Sequence, residues 1–174
     1  MKNQRMLDEL TELMRIDVSS GQETEIAEHL VKKLEQMGFA ITRDEAGATF
    51  GGVCGNILAV REGERDGVVC FCSHMDRVPG GIGIKPVEED GILRSSGDTI
   101  LAADDLSGVA AILEGVRQAI ESGKALPKLE ILFTVGEEAG LYGAKAFDVS
   151  LLTSKTMYVL DLSLIHISEP TRQA

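Results

Sequence analysis

The sequence predicts an α/β fold, and three observations carry that expectation. Two amphipathic helical stretches run into a short β-branched segment at Phe39–Thr42, so a helix feeds a strand. Apolar runs of strand length then alternate with helical periodicity through the rest of the chain. The last apolar runs end in histidine or acid, where open α/β sheets gather their ligands.

Met6, Leu7, Leu10, Leu13 and Met14 recur at helical spacing, as do Ile26, Leu30, Leu34 and Met37, with charged residues on the opposite face. Gly38 supplies the stop of the second helix. Asn56–Val60 and Val68–Cys72, separated by the charged turn Arg61–Gly67, read as neighbouring strands, the second covered on both faces. Asp90-Gly91 between two short apolar runs signals a hairpin, an excursion added to the sheet. A third helix starts at Asp104-Asp105, with Val109, Ile112, Leu113, Val116 and Ile120 on its buried face and Gly123 ending it. The strand Leu129–Val135 ends in Gly136-Glu137-Glu138. A short helix near Tyr142–Phe147 follows, then the strand Met157–Leu160, which closes on Asp161.

Composition narrows the classes. A chain of 174 residues with 44% hydrophobic and 26% charged residues supports one folded domain. Seventeen basic against 28 acidic residues give a net charge of −11 with no basic stripe, which argues against a nucleic-acid partner. Cys54, Cys70 and Cys72 sit in or beside apolar segments and read as core thiols, since no second cysteine pair completes a zinc knot. No signal peptide and no apolar run of about 20 residues is visible, so a cytoplasmic protein without a membrane partner is expected.

The candidate chemistry lies at the polar ends of these elements. In Ser73-His74-Met75-Asp76, alternation puts His74 and Asp76 on one side, where Asp76 can orient the imidazole toward a metal. A surface turn with one histidine is the plain alternative. Asp104-Asp105 opens a helix, where free amides stabilise carboxylates without any metal; of the pair, Asp104 is the better bridge between two ions and Asp105 the better cap or backbone brace. Glu137-Glu138 suits a division in which one acid ligates and the other handles protons, against the alternative of a solvated acidic turn. Asp161 alone would be a loop acid. Serine and thiol nucleophiles fit poorly, because no Gly-x-Ser-x-Gly elbow exists and Cys70 and Cys72 precede the turn. Gly80-Gly81-Ile82-Gly83 lacks the spacing of a dinucleotide loop, and His29 reads as a helix boundary residue.

Four strings then become specific: Cys72-Ser73-His74-Met75-Asp76, Leu101-Ala102-Ala103-Asp104-Asp105-Leu106-Ser107-Gly108-Val109-Ala110, the run from Thr134 through Gly136-Glu137-Glu138 to Ala146, and Tyr158-Val159-Leu160-Asp161. Together, over about residues 5 to 161, they resemble the peptidase T branch of the co-catalytic zinc exopeptidases. The resemblance implies part of a three-layer catalytic domain with a mixed central sheet. It implies His74, Asp104 and Asp161 on one Zn2+, and Asp104 and Glu138 on a second, with a histidine from later in the chain. Co2+ or Mn2+ are alternative ions. Asp76 would orient His74. Glu137 would take a proton from the attacking water and return it to the leaving amine. The implied reaction is release of the N-terminal residue of a tripeptide or other short peptide; carboxypeptidase or N-acyl-amino-acid deacylase activity is the alternative. A noncatalytic α/β scaffold, its acids capping helices, is the alternative from another class. A homodimeric parent is compatible with the resemblance.

The chain departs from the family at Arg77, where Thr is usual, and at Leu106-Ser107, where Lys-Ala or Asn-Ala is usual. The larger departure is the ending. Residues 1–161 match the front of a catalytic domain, whereas the string from Ser163 to Ala174 resembles a translated sequencing adapter. The segment 162–174 is therefore expected to be a non-native, disordered tail, His166 is not promoted to the late ligand, and this fragment is expected to have little activity. Apolar faces that the family buries are expected to be exposed.

Overall fold

Helical periodicity becomes two packed helices at the start of the chain. A computed structural model describes residues 4–161. Helix α1 (Gln4–Met14) buries Leu13 and Met14, and α2 (Thr24–Gln36) buries Ile26, Ala27, Leu30 and Leu34. Strand β1 (Ala40–Arg43) follows, then β2 (Ile57–Arg61), β3 (Val68–His74) and the hairpin β4 (Pro86–Glu89) and β5 (Ile92–Ser95). Helix α3 (Ala103–Glu121), β6 (Lys128–Thr134), α4 (Tyr142–Ala146) and β7 (Met157–Val159) complete the order. Among the described residues no helix is long and apolar enough to cross a membrane.

The strands form a mixed five-stranded sheet in the order β1-β2-β6-β3-β7. Strands β3, β6 and β7 are parallel, and β2 runs antiparallel to β6. This corrects one expectation from the sequence. Strands β2 and β3 are consecutive but not neighbours, because β6 inserts between them and pairs with both. The charged segment Arg61–Gly67 is thus a crossover across the end of β6, not a hairpin turn. The β4–β5 hairpin is a separate two-stranded sheet, as the Asp90-Gly91 signal implies.

Alternation along β6 divides the core. Leu129, Ile131 and Phe133 join the residues of α1, α2 and α3 on one face of the sheet. Leu132, with Leu58, Cys72 and Phe147, forms a smaller cluster on the other. Glu130 is fully buried on that second face, where its carboxylate accepts the N–H groups of Thr153 and Ser154 at 2.9 and 3.0 Å. The free thiols of Cys70 and Cys72 are buried and pushed by burial up to about 11 and about 12, so neither is a thiolate near neutral pH. At the outer strand β7, Tyr158 and Val159 are exposed, as are Val149 and Leu151 nearby.

Candidate metal centre

Because β3, β6 and β7 are parallel, their carboxyl ends share one edge of the sheet. His74 ends β3, Glu137 and Glu138 follow β6, and Asp161 follows β7. Backbone hydrogen bonds carry the pairing to that edge, from Met75 N–H to Thr134 O and from Leu160 N–H to Cys72 O, each at 2.9 Å. Asp104 arrives from the start of α3, where Ala102 takes the left-handed conformation and the Asp104–Asp105 peptide is cis. Gly108 lets this helix start approach β7, since a Cβ there would collide with Leu160 O.

His74 is buried with its Nε2 facing 3.2 Å to Asp104 Oδ1 and 3.9 Å to Asp161 Oδ1. Its Nδ1 lies 3.1 Å from the backbone carbonyl of Asp76 and 3.4 Å from Asp76 Oδ1. Those partners are acceptors, so Nδ1 carries the proton and Nε2 is the ring atom directed at the acids. One oxygen or nitrogen from each of His74, Asp104 and Asp161 lies within 4.8 Å of the others; the same holds for His74, Glu137 and Glu138. One imidazole and four carboxylates, with no thiolate, form a donor set suited to zinc, cobalt or manganese.

The electrostatics follow from crowding acids around a buried imidazole. Burial disfavours the His74 imidazolium, but hydrogen bonding to Asp76 and the charges of Asp76, Asp105 and Glu137 outweigh it and raise His74 to about 9. Burial raises Glu137 and Glu138 above their ordinary values; His74 opposes this, while Asp104 and Asp76 add to it at both. A divalent cation in this nest would relieve the mutual repulsion.

The two acids at the start of α3 differ in environment. Asp105 is buried, accepts hydrogen bonds from Ser73 Oγ and, at 3.1 Å, from Gly108 N–H, and so caps the helix. Burial raises its carboxyl to about 6. The Asp104 side chain is 44% exposed and faces His74. Arg77, beside the histidine motif, turns away from the site. Its buried guanidinium donates to Gly81 O at 3.0 Å and to Leu13 O and Met14 O at 3.4 and 3.3 Å, closing the carbonyl end of α1. His29 lies partly exposed where α1 meets α2, near Glu9 and Glu12, but Lys33 Nζ sits 2.7 and 2.8 Å from those two carboxylates.

Several supporting contacts escaped the sequence reading. Asp76 Oδ1 accepts the N–H of Glu137 at 2.9 Å, while Oδ2 accepts that of Glu138 at 3.1 Å and the Ser20 hydroxyl. Despite burial, these bonds and His74 hold Asp76 below the usual carboxylate range. Asn56 accepts from Val135 N–H and donates to Gly143 O and Asp44, tying β6 to α4. The only sequence sign of Ser20 was a small-residue run between two helices. An apolar cleft of about 300 Å³ opens from His74, Glu137 and Asp161 toward Leu132, Phe147, Met157 and Val159.

The family model "Peptidase family M28" matches residues 56–173. The chain is 38% identical over 162 residues to the uncharacterized protein YqjE of Bacillus subtilis, covering 92% of this chain and 44% of that one. Among solved structures it is similar to the aminopeptidase PepT of Bacillus cereus (39% identity, TM-score 0.89) and to a tripeptidase of Staphylococcus aureus (35%, 0.87). Each of these alignments covers 92% of this chain and 44% of the other, so the chain spans less than half the length of these relatives. The expected tail at 162–174, with His166, lies outside the described residues. Four ordered motifs, the fold they build and the matched family model establish that the chain belongs to peptidase family M28, with a fold similar to that of peptidase T-type enzymes.

Proposed function

We propose that the chain carries the front part of a two-zinc aminopeptidase centre acting on tripeptides and other short peptides. The observation that carries this reading is the convergence of His74, Asp104, Asp161, Glu137 and Glu138 at one edge of three parallel strands. His74, Asp104 and Asp161 would hold one ion; Asp104 and Glu138 would hold the second, with a histidine from beyond the matched motifs. Zinc bound there supplies Lewis acidity toward the peptide carbonyl and a lowered water pKa.

The remaining work falls to the chain's own side chains. Glu137 faces the cleft with a carboxyl biased upward by burial, which suits a group that accepts a proton from water and hands it to the leaving amine. Asp76 fixes the proton on His74 Nδ1 and so keeps Nε2 directed at the acids. The apolar cleft beside Glu137 offers space to a substrate side chain. The two similar structures are an aminopeptidase and a tripeptidase, which favours amino-terminal trimming over carboxypeptidase or deacylase action.

Metal titration tests the reading. Zinc uptake by the 174-residue chain should be abolished by His74→Ala and weakened about 10- to 100-fold or more by Asp104→Asn. Uptake unaffected by both would leave only helix-capping acids, as in a noncatalytic scaffold. We further propose that this chain, spanning 44% of its relatives' length, is close to inactive by itself. Tripeptide cleavage by the purified chain with zinc at an ordinary enzyme rate of about 10 per second would refute that.

A further inference from the structure

We propose that Glu23 is a positioning residue for the Gly136–Glu138 turn, holding the Gly136 amide from beneath while Asp76 holds the two amides that follow. Glu23 stands immediately before α2, where an acid in sequence looks like an ordinary helix cap. It makes no cap bond. The residue is fully buried, and Oε1 instead accepts the N–H of Gly21 at 2.8 Å and the N–H of Gly136 at 3.0 Å. Its Oε2 is buried with no hydrogen-bond partner among the described residues. Burying a carboxylate with one oxygen unsatisfied is unfavourable, and its oxygens make no hydrogen bond to α2, so helix capping does not account for this residue.

The turn explains it. Gly136 is where the chain leaves β6, in the left-handed region at φ +59°, with the Phe50 ring packed where a Cβ would stand. Three successive amides, of Gly136, Glu137 and Glu138, point down into the protein and each meets a buried carboxylate. Neither the Glu137 nor the Glu138 carboxylate takes part in a hydrogen bond with another described residue, so backbone placement is what aims them. The Ser20 hydroxyl donates to Asp76, so the loop that supplies Glu23 also braces the second carboxylate. A loop between the first two helices thereby sets the direction of two site acids more than 110 residues later in the chain.

This proposal rests on the reading of Glu137 as proton carrier and Glu138 as metal ligand, and its test uses two readouts. In the metal-free 174-residue chain, amide exchange followed by NMR should quicken at least about tenfold at Gly136 in Glu23→Ala, with residues 129–133 unchanged. Zinc affinity, measured by calorimetry, should fall about tenfold in Glu23→Ala and stay within about threefold of the parent in Glu23→Gln, which keeps the accepting oxygen. Leu34→Ala, a cavity three turns further along α2, serves as a control of equal or greater destabilisation and should keep parental affinity.

Glu23→Ala retaining both Gly136 protection and zinc affinity would overturn the proposal. So would a Leu34→Ala chain that loses zinc affinity equally, since general destabilisation would then explain the effect. Should Glu23→Ala fail to fold, Glu23→Asp decides: the shortened side chain should lose the Gly136 protection and weaken zinc binding, and parental values for both would be contrary. A parent chain that takes up no zinc would refute the metal reading itself, while the exchange rates at Gly136 would still show whether Glu23 holds the turn.

Discussion

Asp76 Oδ1 accepts the backbone N–H of Glu137 at 2.9 Å, so the acid that faces the histidine ring also fixes the residue assigned to proton transfer. Its second oxygen accepts from Glu138 N–H and Ser20. In Asp76→Asn one of these oxygens becomes an NH2 group that cannot accept. Zinc affinity is expected to fall about 10- to 100-fold, and calorimetric titration of the folded variant checks it. Unchanged affinity would show that the turn holds itself.

Glu137 and Glu138 are adjacent but assigned different work, and substitution separates them. Glu137→Gln should leave zinc affinity within about threefold of the parent, whereas Glu138→Gln should weaken the second equivalent by about tenfold or more. Equal losses in both would mean that each acid ligates, and the proton-carrier assignment would fail.

Gly136→Ala places a Cβ in the left-handed region and against the Phe50 ring. A loss of about 2 to 4 kcal/mol is expected, combining backbone strain with overpacking. Urea denaturation of Gly136→Ala, Phe50→Ala and the double variant measures the coupling. A double variant as unstable as the sum of the singles would show that the ring does not enforce the glycine.

Far from the site, Arg5 pairs with Glu114 at 2.8 Å and joins α1 to α3. Hydrogen bonding from Arg5, with help from Gln118 and Arg117, holds the Glu114 carboxyl at about 2. A depressed carboxyl stabilises the fold fully above the unfolded value of about 4.3 and loses that contribution as pH falls through the folded value. The urea midpoint of the parent should therefore fall more steeply than that of Glu114→Gln between about pH 5 and pH 2. Parallel curves would remove Glu114 from the acid response.

Much of the candidate site was legible because its histidine and acids sit at the ends of apolar runs. Val68–Cys72 and Leu129–Val135 announce buried strands, so His74 and Glu137 could be placed at a sheet edge before any coordinates. The third helix and the hairpin at Asp90-Gly91 were likewise readable from periodicity and turn chemistry. Strand order was not. Each of β2 and β3 is apolar enough to pair with the other, and nothing local says that β6, which starts only at Lys128, takes the place between them.

Residue types and local spacing determined the α/β class, the elements and the set of acids and histidine available for chemistry, because those depend on side-chain periodicity within a few turns or strands. The folded chain alone decided that Arg77 closes a helix instead of entering the site, and that Glu23 and Asp76 lie under the Gly136–Glu138 turn. Those outcomes depend on which buried polar group finds which partner across the chain, and hydrogen-bond satisfaction in a packed interior is a property of three-dimensional neighbours.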